Sequence, residues 1–146
     1  MFYSLLKLAH LTAAAFFIGG VFFEVMILSR ATPVLQEAQR ADFSQALARR
    51  ARQVMHWVVL VLYCAGIALA WHYRSVLQAP LTSSFALLLS LKIVLALSIL
   101  GHFLLLVVLM RSGRMTAARS RHLHLSVLIH MLGILFLAKT MFILDL

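Results

Sequence analysis

FALLLSLKIVLALSILGHFLLLVVLM, residues Phe85 to Met110, decides the fold. The run contains no proline, no acid and one lysine, Lys92. It is continuously apolar rather than alternating, which reads as helix and not as a strand of a membrane barrel. At 1.5 Å per residue it exceeds the ~30 Å of a bilayer's hydrocarbon, so it spans with tilt or protrusion. Working outward, three further apolar runs emerge at about Leu5–Leu28, Val54–Trp71 and Leu123–Leu144. Pro33 and Pro80 fall between runs, so no span is broken.

Composition agrees. Of 146 residues, 64% are hydrophobic and 12% charged, where a soluble domain is nearer half apolar and a quarter charged. A water-soluble enzyme, a disulfide-rich secreted domain and a disordered tail are all poor fits. The reading is all-α: an integral membrane antiparallel four-helix bundle, one domain over residues 1–146. The first run lacks a basic n-region and exceeds a signal h-region, so it reads as an uncleaved span. Cys64 cannot form an intrachain disulfide, being the single cysteine, and reads as a small packing residue.

The net charge of +9 reports orientation rather than a nucleic-acid partner. The first loop carries Arg30, Arg40, Arg49, Arg50 and Arg52, the third Arg111, Arg114, Arg119 and Arg121, and the second only Arg74. Lys7 and Asp145 mark the chain ends. Loops 29–53 and 111–122 are therefore expected on the cytoplasmic side of a bacterial inner membrane, with both termini outside. Thr32-Pro33 predicts a helix start that runs through the first loop into the second span. Its arginines suit anionic lipid headgroups. Ser112-Gly113 suits the end of the third span.

Ionisable residues inside a span are costly and are functional candidates by default. They are His10, Glu24, His56, Lys92, His102, His130 and Lys139, with His72, His122 and His124 near span ends. Counted from the inner face, His102 and His130 both lie roughly 11 Å deep on consecutive antiparallel helices. His56 and Glu24 share that leaflet; His10, Lys92 and Lys139 share the other. Lys92 and His102 are about 80° apart around their helix, so both can face one interior. His130 and Lys139 fall on opposite faces, and Lys139 snorkels or meets a partner copy.

Histidines at matched depth on neighbouring helices suit axial ligation of haem b. Gly19, Gly20, Gly66, Gly101 and Gly133 leave room for a flat macrocycle, or simply let helices approach. Copper is the rival, since imidazole and thioether both bind it and Met26, Met55, Met110, Met131 and Met141 lie in or beside the spans. There is no phosphate loop, zinc-type cysteine pair or Ser/His/Asp set in a polar context. With four acids in the chain, paired-carboxylate catalysis is excluded. Any chemistry is redox or proton transfer.

Lys7-Leu8-Ala9-His10 followed by small residues and Gly19-Gly20-Val-Phe-Phe, together with Leu91-Lys92 and Gly101-His102 three turns later, resembles the HemJ-type protoporphyrinogen oxidases and the related CopD-like membrane proteins. The resemblance implies a four-helix haem-b protein of the inner membrane. It implies His10 as a haem ligand or quinone/porphyrin-site residue and Lys92 as the functional, catalytic lysine. His56 and His130 enter the candidate set on depth alone. The expectation is thus a haem-b redox protein linked to protoporphyrinogen or quinol, with His10, His102 and His130 as ligands and His56 as a substitute. Lys92 would pair with a propionate or substrate carboxylate. A copper-handling protein and an accessory subunit of a respiratory complex are the alternatives. A homo-oligomer is expected.

Overall fold

The computed structural model describes residues 1–141 and 143, with the side chain of Ala117 left aside. The expected end of the fourth span at Leu144, and Asp145, lie outside the described residues. Among them every regular element is helical. Four helical stretches are long and apolar enough to cross a membrane: Phe2–Val34, Glu37–His72, Ser84–Arg111 and Ala118–Thr140. The four long regular helices are α1 (Phe2–Phe22), α2 (Glu37–His72), α3 (Ser84–Arg111) and α4 (Ala117–Thr140). Two compact units result, one ending at His72 and the other beginning at Tyr73.

In the first unit α1 pairs with α2. Ala13, Phe17 and Val21 recur every fourth residue, so they form one stripe along α1. They are buried, as are Val59 and Ala65 of α2. Met55 lies over Gly20, where the absent Cβ leaves space for its methyl group. The first span is not a uniform α-helix. It widens into a π-helical turn at Phe23–Leu28, closes with Ser29–Ala31, and ends in a 3-10 turn at Thr32–Val34. The Ser29 hydroxyl donates to the Val25 carbonyl at 2.6 Å, a local bond that competes with the regular backbone ladder and bends helices.

The expected continuous helix from Pro33 is interrupted. Pro33 sits in the 3-10 turn, and Leu35 is extended (φ −76°, ψ 145°). The Arg40 guanidinium donates to the Pro33 and Leu35 carbonyls at 3.0 and 3.1 Å, which closes the corner. The helix restarts at Glu37 and then runs 36 residues without a break, about 54 Å at 1.5 Å per residue. That exceeds the ~30 Å of hydrocarbon, so the arginine-bearing half continues the second span as a rigid rod. Cys64 is exposed on α2 rather than packed.

In the second unit α3 pairs with α4. Ala86, Leu89 and Ile99 are buried on α3, and Val127, Leu128, Met131 and Leu137 on α4. The Ser83 hydroxyl caps α3 by accepting from Ala86 N at 3.1 Å, and Thr116 caps α4 by accepting from Arg119 N at 3.2 Å. Each fills one of the orphan donors of a helix start. The turn after α3 needs Gly113, whose φ is +67°. There Arg114 N reaches back to the Leu109 carbonyl at 3.0 Å, as in left-handed helix terminations. In both units large apolar side chains remain exposed, among them Phe16, Trp71, Leu97 and Phe136. Such surfaces are compatible with lipid as the surrounding solvent.

Gly113→Ala should destabilise the α3–α4 hairpin by about 1–2 kcal/mol, the cost of a Cβ in the left-handed region. Thermal unfolding of the purified protein in detergent measures it, and an unchanged midpoint would contradict the turn as described.

Candidate functional site

The matched depth of His102 and His130 becomes direct proximity within the α3–α4 pair. Their ring centroids lie 5.2 Å apart, tilted by 56°. His102 Nδ1 is 2.7 Å from the Ser98 carbonyl of its own helix, and His130 Nδ1 is 2.8 Å from the Ser126 carbonyl of its own. A carbonyl only accepts, so both Nδ1 atoms carry the proton. In the neutral imidazole Nε2 is then the acceptor. Each Nε2 receives a hydroxyl from the opposite helix: Ser126 Oγ lies 3.0 Å from His102 Nε2, and Ser98 Oγ lies 3.1 Å from His130 Nε2.

The four residues close a ring. Each helix contributes Ser-x-x-x-His, and each serine serves its own histidine with the carbonyl and the other histidine with the hydroxyl. The spacing works because residues four apart share a helix face, and because antiparallel pairing aligns serine against histidine both ways. The bond from Nδ1 to the carbonyl four residues back is a local feature of helices; exposed His122 makes it too, to Ala118 at 2.8 Å. What distinguishes His102 and His130 is the crossed pair of serine bonds. All four side chains are half-buried. The flank differs between the two sides. A Cβ on Gly101 would meet nothing within 4 Å, whereas one on Gly133 would touch Leu95 at 3.4 Å.

Lys92 also faces α4. Its Nζ lies 3.9 Å from Met141 Sδ, so Lys92 and His102 share the face towards α4, as their spacing implied. They stand about 15 Å apart along the helix. Lys139 is exposed while His130 is half-buried, which agrees with opposite faces on α4.

The first unit holds His10. Its Nδ1 lies 3.0 Å from the Leu62 carbonyl of α2, so this proton too sits on Nδ1, bonded across to a second helix. Gly66 makes the approach feasible: a Cβ there would lie 3.1 Å from His10 Cε1. Nearer the end of α1, Lys7 Nζ stands 4.4 Å from the Tyr3 ring centroid, a cation–π contact. Tyr3 in turn packs on His72 with centroids 4.8 Å apart. His56 does not join His10. It is exposed on α2 with its ring edge-on to Trp57. It precedes Leu62 by six residues, about 9 Å along the axis and on a different face. Glu24 lies in the π-helical turn and is half-buried.

Ser98 and Ser126 are the residues that sequence reasoning did not single out. Their signal was present as the repeated Ser-x-x-x-His spacing, but serines four residues before a histidine acquire meaning only when two such helices are antiparallel and in register.

The three imidazoles His10, His102 and His130 are therefore held as one tautomer, by carbonyls within their units. A fixed Nδ1–H that orients the ring and leaves Nε2 basic is the arrangement that metal-ligating histidines use. Among the described residues no three His, Cys, Asp or Glu side chains converge as a metal site. No protein-family model, no curated protein and no solved structure matches the chain.

The Ser98–His130 bond should show a coupling of about 0.6–1.7 kcal/mol, the range for polar pairs between membrane helices. A double-mutant cycle with Ser98→Ala and His130→Ala, read by reversible unfolding in detergent, tests it; additive effects would argue against the crossed bond. Gly66→Val should push the His10 ring from the Leu62 carbonyl. Its readout is the loss of the His10 Nδ1–H resonance in nitrogen NMR, which should be retained in Gly19→Ala.

Proposed function

We propose that this chain is a haem b-binding redox protein of a bacterial inner membrane, an antiparallel four-helix bundle with both termini outside. The arginines of residues 29–53 and 111–122, set against one in the second loop, support that orientation. Anionic lipid is the surrounding partner.

One observation carries the haem reading. His102 is half-buried within an apolar helix, its tautomer set by the Ser98 carbonyl at 2.7 Å, beside a Gly101 whose missing Cβ faces open space. Haem suits these residues better than a bare metal ion does. A macrocycle brings four nitrogens of its own and asks the protein for one or two axial imidazoles. A copper site made of protein ligands alone asks for convergent imidazoles and thioethers, and Met26, Met55, Met110, Met131 and Met141 in or beside the spans keep it as the second reading.

The residues also limit how haem would be held. His102 and His130 are tied to each other through two serine hydroxyls, and a macrocycle between their rings would break both bonds. They would thus be alternative ligands rather than a pair. His102 comes first because the HemJ-type resemblance includes Gly101-His102. His10, which the HemJ-type resemblance marks, lies in the other leaflet and would be a separate candidate ligand within the first unit, with His56 as its substitute. When bound, haem supplies one-electron chemistry. The protein's part is to orient the imidazole, exclude water and provide a cation. Lys92 is that cation, for a propionate or the carboxylate of a substrate, since a lysine within a span needs an anionic partner. Protoporphyrinogen or quinol is the reductant class, with a respiratory partner as acceptor.

The test is a visible spectrum of the protein purified in mild detergent, with a pyridine haemochrome assay. A Soret band is expected, lost in His102→Ala and kept in His130→Ala. No band after haem supplementation sinks the proposal and leaves the accessory-subunit reading. Lys92→Met should keep the band and slow reduction by quinol or protoporphyrinogen at least about tenfold, a loss in the range of one catalytic group.

A further inference from the structure

Three contacts set the register of the first unit. Tyr3 packs on His72, the His10 ring lies over Gly66, and Met55 lies over Gly20. The first span and α2 therefore pass each other nearly residue for residue. Continued towards the corner at Pro33, the same register places Phe23–Leu28 beside Leu47–Arg52. The two apolar runs then end at different depths. Leu28 closes the run of the first span, whereas Val54 opens that of α2 and is level with Val21. The offset is about seven residues, or about 10 Å along the axis.

Arg49, Arg50 and Arg52 lie in that interval. Arg52 is level with Phe23, Arg50 with Val25 and Arg49 with Met26. On the first span Phe22, Phe23, Met26 and Ile27 are exposed there, a surface suited to acyl chains. The three arginines are exposed as well. At about 100° per residue from Met55, which faces the first span, Arg52 stands about 60° to one side and Arg49 about 120°. Arg50 stands about 140° the other way. They fan over the outward surface of α2 rather than into the helix pair. Among the described residues these three guanidinium groups have no partner. Glu24 is the one acid in the paired stretches 21–28 and 47–54, so a single negative charge stands against three positive ones.

We propose that Arg49, Arg50 and Arg52 hold the phosphate headgroup of an anionic phospholipid, whose acyl chains lie on the exposed side chains of the first span and on Trp57. Depth selects this occupant. A guanidinium at the edge of the hydrocarbon is stable when its stem lies along apolar surface and its head reaches a phosphate. Its planar fork matches two phosphate oxygens. Trp57, exposed and just inside Arg52, sits where aromatic side chains mark a membrane interface. An acidic protein segment would meet the same charges, but it would have to displace lipid from the flanking phenylalanines. Arg40 is not part of the site, since its guanidinium is bonded to the Pro33 and Leu35 carbonyls. A basic loop is drawn to any anionic membrane surface; here three named residues form a discrete site at the membrane's edge. The site needs only that the first unit spans a bilayer, and it is independent of the haem reading.

The experiment places the full-length protein in phosphatidylcholine bilayers, with Trp71→Phe so that Trp57 is the one tryptophan. Part of the lipid is replaced by brominated phosphatidylglycerol or, in parallel, by brominated phosphatidylcholine. Bromine on an acyl chain quenches a tryptophan beside it. Both leaflets share one composition, so orientation does not enter. Phosphatidylglycerol should be favoured at least about fivefold at the Trp57 surface, the factor that one arginine contributes near an anionic membrane. Arg49→Gln, Arg50→Gln and Arg52→Gln combined should bring the two lipids level. Arg111→Gln, Arg114→Gln and Arg121→Gln combined remove the same charge from the second unit and should keep the preference. Equal quenching with all arginines present overturns the proposal and leaves them to an acidic protein partner; that comparison needs no arginine variant to fold. An equal loss in the second-unit variant also overturns it, because bulk charge would then suffice. So does abolition by inorganic phosphate, which would make the occupant a soluble anion. None of these outcomes bears on the Soret band, so the site and the haem reading fail separately.

Discussion

Within an apolar helix, with no water nearby, a polar side chain must be answered by the backbone of its own turn or by a neighbouring helix. The spans of this protein divide their polar residues between those two answers. Ser90 and Thr140 are short enough to bond the carbonyl one turn back, and they ask nothing of the opposite helix. Histidine has two nitrogens, and its own helix satisfies only one. The remaining nitrogen of His102 and of His130 is met across the helix pair by a serine hydroxyl. The register of α3 against α4 follows from this, because a slip of one residue would part both bonds. His10 uses the other solution, reaching across to the Leu62 carbonyl where Gly66 lets the ring in.

The same requirement shapes what these residues can do. Bonding an imidazole through Nδ1 fixes the ring's orientation and leaves Nε2 as the nitrogen that faces the neighbouring helix. The serines tie structure to chemistry. As hydrogen-bond donors they tie α3 to α4 through His102 and His130.

Four apolar spans were legible from the sequence, the third to within a residue of the helix Ser84–Arg111, whereas the helix of the second starts at Glu37, well before Val54. Apolar length is a local property, and the bilayer's thickness turns it directly into helix length. The Ser112-Gly113 ending was legible for a related reason, since the left-handed turn at φ +67° is one that glycine adopts without cost. Details set by competing hydrogen bonds were not. Nothing in the composition of Phe23–Leu28 announces a π-helical turn. Nor does Thr32-Pro33 reveal that Leu35 is extended and that Arg40 folds back on the corner. Cys64 could face in or out on propensity alone, and it faces out.

The candidate site shows the same division. The sequence by itself determined that four apolar helices form and that His102 and His130 lie at one depth. Counting also put Lys92 and His102 about 80° apart, close enough for both to face one neighbour, and Lys139 opposite His130, because depth and face follow from counting along a regular helix. Only the tertiary structure decided that the two histidines touch, that Ser98 and Ser126 complete them, and that His56 stands apart from His10. Those facts depend on rotation and register between helices. Both are fixed by side-chain bonds between residues 24 or more apart in the chain, which no periodicity within one helix encodes.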